Sequence, residues 1–302
     1  MISLEILVIG SINIDYVSTV EELPRKGETL HANSFEDSAG GKGANQAVAA
    51  RRLGAEVSMI GAVGNDVIGK KLKESLEKEG IDISCINAVD VPTGNALITV
   101  DKNGDNTIVV YSGANFQLDN KWIDDSERLI KRSDIVVLQL EIPMETVMYS
   151  AKLAKKHNKI VILNPAPAKD LPEEIYNYID YITPNETELY KLTGIEENVE
   201  MASKELLDRG AKNIVVTLGE KGCYCLGEVG EHRVDSFKVE AIDTTAAGDS
   251  FNAALAVALC ENKSIQDTLK FANAVGALTT TKKGAQTSLP CMQEVNEFIS
   301  KK

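Results

Sequence analysis

Residues 134–167 read DIVVLQLEIPMETVMYSAKLAKKHNKIVILNPAP, and the two apolar runs in this stretch decide the fold class. DIVVLQLE and KIVILNPAP carry continuous Val, Ile and Leu, without the alternation of a strand that has one wet face, and ETVMYSAKLAKKHN between them has helical spacing. The rhythm continues through YITPNETELYKLTG (strand then helix), ASKELLDRGA (helix) and NIVVTLGEKG (strand). Strands buried on both faces and separated by amphipathic helices predict a doubly wound α/β core, a mainly parallel sheet sandwiched by helices.

Two stretches depart from that rhythm. Residues 14–20 with 29–35, and 96–100 joined through DKNGDN to 107–111, read as antiparallel strands, with Asn103-Gly104 as the turn signal. They predict a small β appendage, formed from about residues 12–35 and 95–111, that covers one face of the core or meets its copy in a second subunit. No long linker, low-complexity tract or repeat of about 20 to 50 residues interrupts the chain. Residues 1–302 are therefore expected to form a single domain.

A chain of 302 residues, 43% apolar, can bury a large core. Its formal charge of -13 argues against nucleic acid or an anionic membrane as partner, so any anionic ligand must be held by local features. The opening MISLEILVIGS has no basic flank and too short an apolar run to span a bilayer; it reads as a first buried strand of a cytoplasmic protein. Cys85, Cys223, Cys225, Cys260 and Cys291 are scattered, and the single close pair lacks the second ligand pair of a zinc site, so they read as reduced packing residues. His31, His157 and His232 have no metal spacing and read as surface residues.

Residues 38–55, SAGGKGANQAVAARRLGA, pack glycines and a lysine ahead of a helical run. A Walker phosphate loop fails here, because Glu36 stands where its first glycine belongs and Gly43 where its hydroxyl belongs; a dinucleotide loop fails at Gln46. The better anion cradle is IDTTAAGDSFNAALAVALC, residues 242–260. Ala246, Ala247 and Gly248 run into Asp249 and an apolar helix, so their N–H groups can converge where the helix dipole favours an anion. Asp249 in that cradle could accept a proton from a hydroxyl approaching a phosphate; an ordinary helix-start aspartate is the other reading.

GGKGANQA and DTTAAGDSF resemble the two signatures of the ribokinase-type (PfkB) carbohydrate kinases, and GSINIDY, QLEIP, LNPAPA, TPNETE, TLGEKG and KKGAQ extend the resemblance essentially end to end. Ala246 stands where many members carry Gly, which asks the cradle for a backbone that tolerates a Cβ. The resemblance implies an ATP-dependent kinase that moves the γ-phosphoryl group to the 5-hydroxyl of a pentose, D-ribose, with a small β-sheet lid. Deoxyribose, fructose or a nucleoside are the alternative acceptors; outside the enzyme class the alternative is a non-catalytic sugar-binding regulator.

On this resemblance Asp249 is the base, and Ala246, Ala247 and Gly248 form the cradle. The glycine loop, Gly41, Lys42, Gly43, Ala44 and Asn45, embraces the sugar, though Lys42 could also be a solvated charge. Asn13 and Asp15 lie two apart, on one face of an extended segment, and would grip vicinal hydroxyls, with an Asx turn as the other reading. Glu141, at a strand's carboxyl end, would accept a hydroxyl. Asn185 and Glu188 would organise Mg2+ and the nucleotide phosphates, a helix cap being the other reading. Thr217, Leu218, Gly219, Glu220, Lys221 and Gly222, with Gly248 and Asn273, would contact ATP. Asp243, Thr245, Thr279, Lys282, Gly284 and Ser288 would hold a monovalent cation, K+, by their oxygens, unless Asp243 only stabilises its turn. The expected partners are the sugar, ATP and a second copy of the chain, a homodimer through the β lid, with neither nucleic acid nor membrane.

Overall fold

The structure is a computed structural model that describes residues 4–301; the first three residues of the expected opening strand lie outside them, as does residue 302. Along the chain the strands are β1 (Glu5–Ile9), β2 (Asn13–Thr19), β3 (Ser34–Gly40), β4 (Glu56–Gly64), β5 (Asp82–Val89), β6 (Gly94–Val100), β7 (Asn106–Tyr111), β8 (Ile135–Leu138), β9 (Ile160–Leu163), β10 (Tyr181–Ile182), β11 (Asn213–Thr217), β12 (Cys223–Gly227) and β13 (Gly230–Val234). The α-helices are α1 (Lys42–Arg52), α2 (Val67–Lys78), α3 (Asn120–Asp125), α4 (Glu127–Arg132), α5 (Met144–Lys156), α6 (Glu186–Thr193), α7 (Val199–Asp208), α8 (Ala247–Cys260), α9 (Ile265–Thr279) and α10 (Met292–Ser300).

A nine-stranded sheet has the order β13-β12-β11-β10-β9-β8-β1-β4-β5. Neighbours from β5 to β11 are parallel, and the β12-β13 hairpin adds an antiparallel edge. Alternate residues of the central strands enter opposite cores. In β1, Ile6 and Val8 pack with α1, α8 and α9, whereas Leu7 and Ile9 pack with α5, α6 and α7. In β8, Ile135 and Val137 divide from Val136 and Leu138 in the same way, which is why that run has no polar face. Cys223 and Cys225 face one core and Tyr224 the other, and all five cysteines are free. Helix α8 is apolar on every side because it lies between α1, α9 and the sheet; Asp249 is the charged exception among its buried residues.

The second sheet has the order β3-β2-β6-β7 and corrects two expectations. The strand placed at residues 29–35 lies instead at Ser34–Gly40, because the pairing from Thr19↔Ser34 to Asn13↔Gly40 draws the chain straight into the glycine loop. The two hairpins are antiparallel as expected, but β2 joins β6 in parallel, from Asn13↔Gly94 to Thr19↔Val100. Phe35, Leu97 and Val109 share one face of this sheet and are exposed. In the larger sheet, the carboxyl ends of the parallel strands bring together the segments that follow β1, β8, β9, β10 and β11. Open α/β sheets place their ligands at that edge.

Candidate active site

The first turns of α1 and α8 meet at Asp249. Helix α8 starts from Ala246, which sits in the left-handed region at φ 60. The Ala247 N–H donates to the Thr244 carbonyl at 3.2 Å, so it is not part of the anion cradle as expected. The N–H groups of Ala246, Gly248 and Asp249 have no hydrogen-bond partner among the described residues. A Cβ built on Gly248 would meet nothing within 4 Å, so the space before these amides is open. A cavity of about 200 Å³ lies there, lined by Ala246, Gly248, Asp249, Lys42, Asn185 and Glu188 among others.

Asp249 is buried, and each of its oxygens holds one amide: Asn45 Nδ2 donates to Oδ2 at 2.9 Å and Gln46 Nε2 to Oδ1 at 3.0 Å. Burial pushes its carboxyl above the usual range, while the Lys42 charge and the two amides pull it back. For Lys42, burial disfavours the ammonium, but Asp249, Glu141, Glu188 and Asp15 outweigh it and raise its pKa. The lysine lines the cavity, and the four carboxyl groups around it favour its charged form. Glu188 is pushed up by burial, against the Asn185 N–H and Lys42. A carboxylate beside an open helix N-terminus can take a proton from a hydroxyl as its oxygen attacks an anion seated on the N–H groups.

On the other side, Asn13 and Asp15 lie on one face of β2, which removes the Asx-turn alternative. Asn13 Oδ1 accepts from Asn115 Nδ2 at 2.7 Å, and Asn115 Oδ1 accepts from the Ile12 N–H, so the Asn13 amide is held in place. The Asp15 carboxyl is pushed up to about 6 by burial, then by the Glu141 and Asp249 charges, with Lys42 opposing. Ala96 lies beside Asp15 on its face of the sheet, with Val110 one strand further out and Ser38 on the other side. Glu141 Oε2 accepts from Ser11 Oγ at 2.6 Å and from the Lys42 N–H at 3.2 Å.

The glycine loop needs a correction. A Cβ on Gly41 would sit 2.7 Å from Asn13 N, and one on Gly43 2.6 Å from Ser11 N. The Gly43 N–H donates to Ser11 Oγ and the Ala44 N–H to the Ser11 carbonyl. These glycines are small because residues 10–13 of the chain itself cross the start of α1, and Gly43 and Ala44 keep no free amide for a sugar.

Asn185 and Glu188 form a reciprocal cap on α6: Asn185 Oδ1 accepts from the Glu188 N–H at 2.8 Å, and Glu188 Oε2 from the Asn185 N–H at 2.9 Å. The capping reading is therefore correct, yet both residues also line the cavity, as does Thr217. After Thr217, Leu218 is buried, Gly219–Lys221 make one exposed 3-10 turn carrying Glu220, and Gly222 stands where a Cβ would overlap the Val234 carbonyl. Asn273 is buried, and its amide donates to the carbonyls of Val234 at 2.9 Å and Asp235 at 3.3 Å, which ties it to the end of β13.

The expected cation residues divide. Asp243 Oδ1 accepts from the Thr245 N–H and hydroxyl, and Oδ2 from the Gly284 N–H at 2.8 Å, so the two loops are brought together and the turn-stabilising role is real. Burial raises the Asp243 carboxyl, but these hydrogen bonds outweigh it and hold the pKa below its usual value. Thr279 belongs to α9, its hydroxyl bonded to Val275 and Ser250, and the Lys282 ammonium turns away to Glu294. The Ser288 hydroxyl is bonded to the Ala285 carbonyl.

Sequence reasoning gave no role to Gln46, Gln139, Asn115, Asn164, Thr183 or Asn252. Four of them lie inside the quoted segments GGKGANQA, QLEIP, LNPAPA and TPNETE. A polar side chain interrupting a doubly buried run, as Gln139 does, is the available signal, since it must find a partner.

The sequence matches the pfkB family carbohydrate kinase pattern over residues 3–292, and the chain belongs to that family. It is 45% identical to the ribokinase of Haemophilus influenzae over 97% of each chain. It is 38% identical to the deoxyribokinase of Salmonella typhi, over 98% of this chain and 99% of the relative. The fold superposes on the ribokinase of Arabidopsis thaliana, solved with ribose and ATP, at a TM-score of 0.92 and 34% identity, covering 99% of both chains. The doubly wound fold with its small separate sheet is as expected. Among the described residues no helix is long and apolar enough to cross a membrane.

Proposed function

We propose that the protein transfers the γ-phosphoryl group of ATP to the 5-hydroxyl of D-ribose, giving D-ribose 5-phosphate. The observation that carries this is the position of Asp249, between the hydroxyl-binding groups of β2 and the unpartnered N–H groups at the start of α8. Asp249 takes the proton of the attacking hydroxyl. Asn13, Asp15, Asn45 and Glu141 hold the remaining hydroxyls, with Gly41 giving the loop its shape. The N–H groups of Ala246, Gly248 and Asp249, with Lys42, stabilise the transferring group; most of the catalysis is positioning and charge stabilisation. Thr217, Leu218, Gly219, Glu220, Lys221 and Gly222 form the nucleotide side.

Asn185 and Glu188 offer hard oxygen ligands at the phosphate cavity, and among the described residues no group of three or more His, Cys, Asp or Glu stands ready for a metal. That donor set fits Mg2+ arriving on the nucleotide phosphates and held through water, where it would neutralise phosphate charge. Oxygens of Asp243, Thr245, Gly284 and Ser288 fit a monovalent cation, K+, since Asp243 is held ionised where the two loops meet.

Residues 1–302 act as one kinase domain, with the second sheet as a lid over the sugar. The exposed Phe35, Leu97 and Val109 face of that lid supports a homodimer in which a second copy covers it. Free thiols at all five cysteines support a cytoplasmic location. An ADP-release assay with ribose, deoxyribose, fructose and a nucleoside tests the assignment. Fastest release with ribose is expected; preference for another acceptor reassigns the substrate, and no release with any of them leaves a sugar-binding regulator.

A further inference from the structure

A chain of buried amides leads from the middle of the sheet to Asp249. Gln139, fully buried just after β8, donates from Nε2 to Gln46 Oε1 at 2.6 Å. Gln46, buried in the first turn of α1, donates from Nε2 to Asp249 Oδ1 at 3.0 Å and to Asn164 Oδ1 at 3.3 Å. Asn45, its neighbour on the helix, holds the other Asp249 oxygen at 2.9 Å. Room for the first amide comes from Gly10, where a Cβ would overlap the Gln139 side chain.

The direction of this chain is set from its far end. Because the Gln46 carbonyl accepts from Gln139, the Gln46 amino group must face Asp249; the reverse orientation would set a carbonyl oxygen against a carboxylate. Gln139 Oε1 is left buried without a hydrogen-bond partner among the described residues, so the arrangement forgoes one bond while keeping this polarity. We propose that Gln46 and Gln139 are positioning residues for the reaction, an amide relay that fixes the rotation of the Asp249 carboxylate so that one lone pair of each oxygen stays free toward the substrate hydroxyl. The proposal rests on Asp249 being the base.

The charged groups facing Asp249 are Lys42 from α1, Glu141 from the loop after β8, Asp15 from β2 and Glu188 from α6. Lys42 is the one cation among them. Losing an amide donor from Gln46 therefore removes one of the few interactions that favour the ionised base, and displaces the carboxylate as well.

The test is steady-state kinetics with D-ribose and Mg-ATP from pH 5.5 to 9.5, alongside melting temperatures, on Gln46→Met, Gln139→Met, Gln139→Glu and Asp249→Asn. Gln46→Met is expected to lower kcat roughly tenfold or more with the ribose KM within about threefold, and to move the acid limb of kcat to higher pH. In Gln139→Glu a neutral carboxyl can donate its O–H to Gln46 as the amide did, whereas the ionised form cannot. That variant is expected to gain an alkaline limb of roughly tenfold or more, while Gln139→Met shows a loss that does not vary with pH. Should Gln46→Met not fold, the two Gln139 variants decide, since both keep Gln46. With Asp249→Asn inactive, an unmoved pH profile and kcat within twofold in Gln46→Met, or a Gln139→Glu profile parallel to that of the parent, overturns the relay. An active Asp249→Asn instead overturns the base assignment beneath it.

Discussion

The first turns of α1 and α8 both follow a run of small residues, and both have an N-cap residue at positive φ without a side-chain cap, Gly41 at 89 and Ala246 at 60. At α1 the N–H groups are taken: Lys42 by Glu141, Gly43 by the Ser11 hydroxyl and Ala44 by the Ser11 carbonyl. At α8 those of Gly248 and Asp249 are open, and the cavity lies in front of them. A glycine-rich helix start announces a close approach, not what approaches. Residues 10–13 of the chain fill the first one, which leaves the second for an anion.

The difference between the two helix starts is tested most directly at Asp249. Asp249→Asn is expected to lower kcat roughly 10²-fold or more while the ribose KM stays within a few-fold, because the base acts in the transition state. Near-normal turnover in steady-state kinetics would remove Asp249 from the chemistry. Next come paired methyl groups. Gly43→Ala pushes a Cβ to 2.6 Å from Ser11 N, a backbone contact that cannot swing aside, and is expected to destabilise the fold by about 1–3 kcal/mol in chemical denaturation. Gly248→Ala meets nothing within 4 Å and should change stability by less than about 1 kcal/mol, while its methyl crowds the anion and raises the ATP KM. Equal denaturation midpoints in the two variants would make the two helix starts equivalent.

The α/β core was legible because its central parallel strands are buried on both faces, so Ile6 to Ile9 and Ile135 to Leu138 announce themselves without reference to any partner. The second sheet was less so. Its edge strand β3, SFEDSAG, has little β propensity of its own and is fixed by pairing to β2, whereas residues 29–33 only look alternating. Asp249 could be read because a carboxylate at a helix start is a local feature. The relay could not, since Gln139 is 93 residues from Gln46 and Gln46 is 203 residues from Asp249. Asn273 and Thr279 have side-chain partners the sequence does not mark, the Val234 carbonyl and the Ser250 hydroxyl.

The closed end has its own titration. Asp15 has a folded pKa of about 6 against 3.8 for the free side chain, so the fold binds its proton more tightly than the unfolded chain does. Stability is therefore fully present below pH 3.8 and lost as pH rises through about 6. Asp15→Asn should stabilise the ligand-free protein on the order of 1–3 kcal/mol at pH 8 and far less at pH 4, in denaturation curves at the two values. The same substitution should raise the ribose KM roughly tenfold, and in the parent that KM should climb as pH falls below about 6. A pH-independent ribose KM would detach Asp15 from the sugar.

The loop ahead of α8 has a second support that α1 lacks, the Asp243–Gly284 bond to the chain after α9. If a monovalent cation completes that junction, replacing a large organic cation with K+ at constant ionic strength should raise turnover severalfold, and Asp243→Ala should flatten the response. Constant ionic strength matters because a chain of charge -13 responds to any salt by screening. Equal activation of parent and variant would leave Asp243 as a turn residue alone.

The smallest expected effect compares the two N-cap residues themselves. Ala246 holds φ 60 with a Cβ, a conformation that costs a non-glycine residue about 1–2 kcal/mol. Ala246→Gly relieves that strain, but glycine's extra freedom in the unfolded chain takes back about 0.5–1 kcal/mol. The lost methyl, which packs against the core around α8 and α9, takes back up to about 0.8 kcal/mol. The three terms nearly cancel, so stability should move by less than about 1 kcal/mol and kcat by less than about twofold. Gly41→Ala reverses every sign: it adds the strain at φ 89 and places a Cβ 2.7 Å from Asn13 N, so a loss of about 2 kcal/mol or more is expected in the same denaturation series. If Ala246→Gly instead loses as much as Gly41→Ala, the alanine is held by packing that outweighs its backbone strain, and the start of α8 is as closed as that of α1.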